Sequence, residues 1–285
     1  MKRLVKILSR LPLNVHYGLT NGILYPLAYY VLRYRRGVVY KNLCNSFPDK
    51  SEAEIQALAK GFYHHLADTI AEIIYGYTIP QAEMNERVQF LHLDELEQAI
   101  HAHGAAMVML GHLANWEWMA EVGNRFTPPI QEFSVYRQLK NKAMDALMLD
   151  IRAQRGAQMV EKKQILRAVV KNRQEGRLIG YGMLSDQKPN PNSSRFWTTF
   201  LHQDTAFLDG SEVLARKFDY PVFYFYITSP KRGYYIIDVR TITLDPVHEP
   251  EWAITSKYAQ LLEMNILEDP TRWLWSHNRW KHKKG

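Results

Sequence analysis

Between residues 104 and 267 short strand-like runs alternate with helical patterns, and this order constrains the fold more than any other feature. "AAMVML" (Ala105–Leu110) is a continuous apolar run of strand length. It is followed by a tight turn, "GHLAN", and by a helical start, "WEWMAEVGN". "IQEFSVYR" (Ile130–Arg137) has the alternation of the next strand. "NKAMDALMLDIRAQRG" (Asn141–Gly156) reads as a helix with arginines in its last turn and a glycine stop. A helix over Lys163–Gln174 precedes a buried strand over Arg177–Leu184, and a helix over Leu208–Phe218 follows. "PVFYFYIT" and "YYIIDVRTITL", joined at "SPKRG", predict an antiparallel hairpin, and a last helix spans about Trp252–Leu267. Strands alternating with helices and closed by a hairpin imply an α/β domain, a mixed sheet flanked by helices.

Upstream, Ser51 and Glu54 have capping-box spacing, and the helix they start would bury Ile55, Leu58, Phe62, Leu66, Ile70, Ile73 and Ile74. His64 and His65 of that helix are expected at a surface or interface. The chain divides into a basic, apolar segment over residues 1–48 and an α/β domain over 49–285. The first segment carries eight Lys or Arg and no acid, the last fifteen residues five Lys or Arg and no acid, and the region between is net acidic. Basic ends suit an anionic membrane surface or nucleic acid. The overall charge of +7 is thus not that of a basic globule, and no nucleic-acid motif is present, so no nucleic-acid partner is expected.

Leu11–Leu32 contains no charged residue, yet it holds two glycines, two prolines, Asn14, His16, Thr20 and Asn21. It is too polar for a confident spanning helix. An in-plane or re-entrant anchor with tyrosines near lipid headgroups fits better; a buried core hairpin is the alternative. In the tail, Trp273, Trp275 and Trp280 alternate with Arg272, His277, Arg279 and Lys281. That mixture suits a membrane interface, or else a tail whose tryptophans pack on the core.

In open α/β sheets, sites gather where strands end and loops begin. "GHLANWE" (Gly111–Glu117) and "LSDQKPNPNSS" (Leu184–Ser194) both lie there. On one continuous helix His112 and Glu117, five apart, would point away from each other. With His112 in the turn and Glu117 in the first helical turn, the carboxylate can accept the Nδ1–H bond and raise the basicity of Nε2. His112 would then be a general base for a hydroxyl. A capping histidine and a solvated carboxylate remain the open alternative. No Gly-x-Ser-x-Gly elbow, Walker loop or Gly-x-Gly-x-x-Gly fingerprint occurs. Zinc-ligand spacings are also lacking, and no metal is expected. His101 and His103 are assigned to an exposed loop, and the single Cys44 to an inert position.

The ordered set of motifs resembles the bacterial lipid A late (secondary) acyltransferase family, within the lysophospholipid and glycerolipid acyltransferases. "YRRGVVYKNLCNSFPDKS" looks like the family's post-anchor segment and "GHLANWE" like its His-x-x-x-x-Glu block. "VYR" with Arg152 fifteen residues on, "LSDQKPNP", "DGSEVLARKF" and "DPTRWLWSHNRWK" follow in family order. Glu117 stands where the glycerophosphate branch has aspartate, and that branch's Pro-Glu-Gly-Thr block is absent, which favours the lipid A branch.

The resemblance implies a glycerolipid acyltransferase-like fold. It also implies transfer of an acyl chain from acyl carrier protein, as a thioester co-substrate with no other cofactor, to a hydroxyl of a phosphorylated glycolipid. His112 would be the base and Glu117 its orienting group. Arg137 and Arg152 would hold phosphate or developing charge, and Asp186 would bind an acceptor group or position an arginine. Asn115 would support the loop or donate to the oxyanion. The expected location is the cytoplasmic face of the bacterial inner membrane, in contact with phospholipids. The rival readings are an acyltransferase for another lipid, such as a glycerophospholipid or an amino-acid lipid, and a non-catalytic membrane-binding protein.

Overall fold

The computed structural model describes residues 2–190 and 195–281. Residues 191–194 of the "LSDQKPNPNSS" loop, and Lys283 and Lys284 of the basic tail, lie outside the described residues. The chain begins with α1 (Lys2–Leu8) and α2 (Leu13–Leu19), which runs on through π-helical turns at Thr20–Leu24 and Leu27–Val31. Then come α3 (Arg36–Ser46), α4 (Glu52–Tyr75), α5 (Gln81–Arg87), β1 (Val88–Leu91), α6 (Leu93–His103) and β2 (Ala105–Leu110). A 3-10 helix over Trp116–Asn124 leads to β3 (Gln131–Tyr136), α7 (Lys142–Ala153), β4 (Ala157–Glu161), α8 (Ile165–Gln174) and β5 (Ile179–Leu184). The remainder is β6 (Phe196–Phe200), β7 (Gln203–Phe207), α9 (Gly210–Phe218), β8 (Val222–Lys231), β9 (Tyr234–Thr243) and α10 (Ala253–Glu268).

Seven strands form one mixed sheet in the order β1-β9-β8-β2-β5-β3-β4. Every neighbouring pair is parallel except the β8–β9 hairpin. The α/β class and the mixed sheet flanked by helices agree with the sequence reading. All six residues of β2 are buried, as a strand covered on both faces requires. β6 and β7 pair as a separate antiparallel ribbon. That ribbon, β1, β4 and α6 are additions to the elements read from sequence. β1 spans four residues and β4 five, too short for a period to show. His101 and His103 therefore sit in the last turn of α6, not in a loop.

The capping box at Ser51 and Glu54 forms as expected. The buried face of α4 differs from the apolar stripe. Ile70, Ile73 and Ile74 are only half-buried, while His65, Asp68, Thr69 and Glu72 are buried with Phe62 and Tyr63. The helix turns this polar edge inward because its partners there carry hydrogen-bonding groups. His65 thus leaves its expected surface position for the interior.

The N-terminal segment packs onto α4. Val39 and Leu43 of α3 are fully buried. Asn42 donates to the carbonyls of Trp275 at 2.9 Å and His277 at 3.0 Å, and Arg35 donates to the Ser276 carbonyl at 2.9 Å. Tyr25 and Tyr29, expected near headgroups, face inward: Tyr25 stacks on His64 with ring centroids 3.7 Å apart and Tyr29 meets Tyr63 edge-on. The opposite side presents Leu19, Ile23 and Val31, the last 70% exposed. Among the described residues no helix is long and apolar enough to cross a membrane.

Burying Leu43 beside Val39 makes α3 part of the core, so Leu43→Ala is expected to destabilise the protein by roughly 3 kcal/mol in denaturant unfolding. An unchanged midpoint would mean that α3 is not joined to the cooperative core.

Candidate active site

The site is built by the pairing register of β2 and β5. These parallel neighbours pair Leu110 with Leu184, so the second residue beyond each, His112 and Asp186, emerges side by side at the same sheet edge. The Ser185 N–H donates to the Leu110 carbonyl at 3.1 Å and carries the pairing one residue further. Gly111 stands where a Cβ would lie 2.6 Å from the Leu262 side chain, so a larger residue there would have to displace Leu262 of α10.

Asp186 is fully engaged. Its Oδ1 lies 2.6 Å from His112 Nδ1, and its Oδ2 accepts the His112 backbone N–H and the Trp273 indole N–H, both at 2.9 Å. Its side chain is 3% exposed and that of His112 13%. Burial works against both charges, yet each group outweighs the penalty of the other: His112 is raised above its ordinary 6.5, and Asp186 is held down at about 2. The Nδ1–H···carboxylate bond leaves Nε2 as the acceptor nitrogen. The Gln187 amide lies 3.2 Å from it.

Glu117 does not accept the Nδ1–H bond. Its two oxygens take a bidentate pair from Arg152, at 2.7 and 2.8 Å, and one also accepts the Trp116 indole N–H at 3.1 Å. The reason is geometric. The 3-10 helix starts at Trp116 and carries Glu117 toward α7, while Asp186 has already filled the place beside Nδ1. Glu117 still reaches His112 through its charge, which favours the imidazolium, and the Arg152 charge opposes it. The Trp116 ring, edge-on to the imidazole at 5.2 Å, lies between the two pairs in sequence and contacts both.

The remaining expected residues take separate positions. Arg152 spends two of its donors on Glu117. Arg137 is exposed, one residue past β3 at the same end of the parallel strands. Asn115 is fully buried and serves the loop. Its Oδ1 accepts the Trp118 N–H at 3.3 Å, and its amide donates to Glu72 at 2.9 Å. These two contacts are those of a residue supporting the loop. Glu72 also receives hydroxyls from Tyr17 and Tyr235, each at 2.6 Å. Burial nonetheless pushes its carboxyl pKa up.

The C-terminal tail holds the turn in place. Leu113 and Trp273 form an antiparallel bridge. The Leu274 N–H donates to the His112 carbonyl at 3.1 Å, and the Ala114 N–H to the Arg272 carbonyl at 2.9 Å. Ala114 has φ of 50°, a left-handed value that is unfavourable for alanine. Its carbonyl sits 3.2 Å from His65 Nε2, and His65 Nδ1 lies 3.2 Å from Arg272. Burial, reinforced by the Arg272 charge, lowers His65 to about 4 and keeps it neutral. Trp273 and Trp275 are 2% and 0% exposed, so these two belong to the core and not to a lipid interface. Trp273 and Gln187 were not among the expected site residues. The only sequence signal for them was their place inside the motifs. Among the described residues, no three His, Cys, Asp or Glu side chains converge as metal ligands.

The imidazole is held at Nδ1 by a buried carboxylate, with Nε2 on the other side of the ring. Residues 3–282 match the family model described as bacterial lipid A biosynthesis acyltransferase. Over 263 residues the chain is 23% identical to the lipid A biosynthesis palmitoleoyltransferase of Escherichia coli (strain K12), covering 88% of this chain and 80% of that protein. The lipid A biosynthesis acyltransferase of Shigella flexneri matches to the same extent. A match over nearly the whole length decides the assignment: the chain belongs to the bacterial lipid A biosynthesis acyltransferase family and is an acyltransferase.

Proposed function

We propose that this protein moves a fatty acyl chain from acyl carrier protein to a hydroxyl of a lipid A precursor, with His112 as general base oriented by Asp186. The observation that carries this reading is the 2.6 Å contact between His112 Nδ1 and Asp186 Oδ1. Nε2 takes the proton of the acceptor hydroxyl as its oxygen attacks the thioester carbonyl. The tetrahedral intermediate then collapses, the C–S bond breaks, and the leaving thiolate recovers the proton from the imidazolium. Asp186 stabilises that imidazolium while it lasts. Glu117 adds a second negative charge at longer range and holds Arg152 at the site. Arg137, exposed at the rim, meets a phosphate of the acceptor in this reading.

Membrane contact falls to the N-terminal segment. Leu19, Ile23 and Val31 are exposed on its outer side, and the eight cations of residues 1–48 have no acid among them. An in-plane helix at the cytoplasmic face of the inner membrane suits this surface.

Four measurements test these assignments. His112→Ala is expected to lower transfer to a tetra-acylated precursor in detergent micelles by about a thousandfold or more; equal transfer would put the base elsewhere. The rate should rise with pH as the imidazole loses its proton, and because Asp186 raises the His112 pKa, half-maximal kcat/KM should fall above pH 6.5. In Asp186→Asn burial acts without the carboxylate, so the midpoint should move to lower pH and kcat should drop by roughly 100-fold to 10,000-fold. A larger downward shift from Glu117→Gln would make Glu117 the dominant partner. Ile23→Asp, on the exposed side, should weaken sedimentation with anionic vesicles several-fold and leave the unfolding midpoint in place. Unchanged vesicle binding would remove this face from the membrane contact.

A further inference from the structure

α8 carries a surface that the transfer chemistry leaves unused. The helix buries Val169 and Asn172 and half-buries Ile165 and Ala168. On the solvent side an amphipathic helix carries mainly charged and polar groups. Here Leu166 is 45% and Val170 38% exposed. Lys163, Arg167 and Lys171, four residues apart, flank this apolar pair, and the same residues line a shallow groove of about 530 Å³. Residues 162–174 hold five cations and no acid. Arg173 belongs to the other side, where it donates to the Phe218 carbonyl at 3.0 Å. The nearest acids in sequence are Glu161, at the end of β4, and Glu175. Glu175 is shared between Lys171 at 3.8 Å and Arg177 at 3.0 Å. Among the described residues neither Lys163 nor Arg167 is engaged in an ion pair.

Topology puts this face within reach of His112. α8 follows β4 through a 3-10 turn, so Lys163 in that turn and Arg167 in the first turn of α8 lie at the carboxyl ends of the parallel strands, the edge from which His112 and Asp186 also emerge. β4 lies three strands from β2 in the sheet order, or about 14 Å at the usual strand spacing.

We infer that the Lys163–Arg167–Lys171 face, formed by α8 and the turn before it, is the docking surface for the acidic protein that carries the acyl thioester. A helix face with acids at four-residue spacing and a small apolar contact would match the cations and seat on Leu166 and Val170. A thioester on a flexible arm could then cross the sheet edge to His112. A lipid surface fits this face less well, because two apolar side chains offer little area beside the long exposed side of the N-terminal segment. The inference rests on the carrier-dependent reading above.

The test is the variant Lys163→Glu/Arg167→Glu, assayed with acyl chains on the carrier protein and, in parallel, on free pantetheine. Both positions are exposed, and a thermal melt verifies the fold. The expected result is a KM for the carrier-borne donor raised at least tenfold, with little change in kcat, unchanged use of acyl-pantetheine, and a flatter salt dependence. Direct binding of the carrier protein should weaken by a similar factor. Wild-type transfer with the same carrier KM in the variant overturns the docking surface and leaves the acyltransferase reading intact. Wild-type transfer from acyl-pantetheine but not from the carrier overturns the carrier as donor, and the docking surface with it. Loss of anionic-vesicle binding in the variant, with carrier KM unmoved, would assign this face to lipid and overturn the inference.

Discussion

The pairing of β2 with β5 is the constraint on which the site depends. Parallel strands in register deliver residues two past the last pair to adjacent positions, and here those residues are His112 and Asp186. Neither side chain has to be held by a long loop. The strands are buried in the middle of a seven-stranded sheet, so the distance between imidazole and carboxylate inherits the rigidity of the core. Gly111 makes the arrangement possible on the β2 side by leaving room for Leu262.

Two acid–base pairs then divide the local charge. A buried carboxylate is costly without donors, and Asp186 has three: the His112 ring, the His112 backbone and the Trp273 indole. Glu117 meets the same requirement with Arg152 and Trp116. The division keeps the imidazole next to one carboxylate at hydrogen-bond distance and a second farther off. It also explains why Glu117 and Arg152, fixed to each other, act on His112 through their fields alone.

The ends of the chain complete the turn. Residues 272–274 bridge the backbone of His112 and Ala114, and α3 binds the carbonyls of 275–277 in turn. His65, neutral because it is buried, holds the carbonyl of an alanine in a left-handed conformation. Residues nearly the full chain length apart thus converge behind the histidine. A basic, apolar N-terminus serves two surfaces at once: Tyr25, Tyr29, Val39 and Leu43 face the domain, and Leu19, Ile23 and Val31 face outward.

Sequence alone determined the α/β class, the strand that ends at Leu110, the helix capped by Ser51, the hairpin at "SPKRG", and His112 as the candidate base. These follow from local periodicity, turn chemistry and motif order, which the chain carries in short windows. It also marked Asp186 as a site residue, but not its partner. Which carboxylate reaches Nδ1 depends on which strand lies beside β2, and that is a pairing between segments 74 residues apart. Tertiary structure likewise decided the inward turn of the polar edge of α4 and the burial of Trp273 and Trp275. The same periodic pattern can face water, lipid or protein, and only packing against a particular neighbour selects among them.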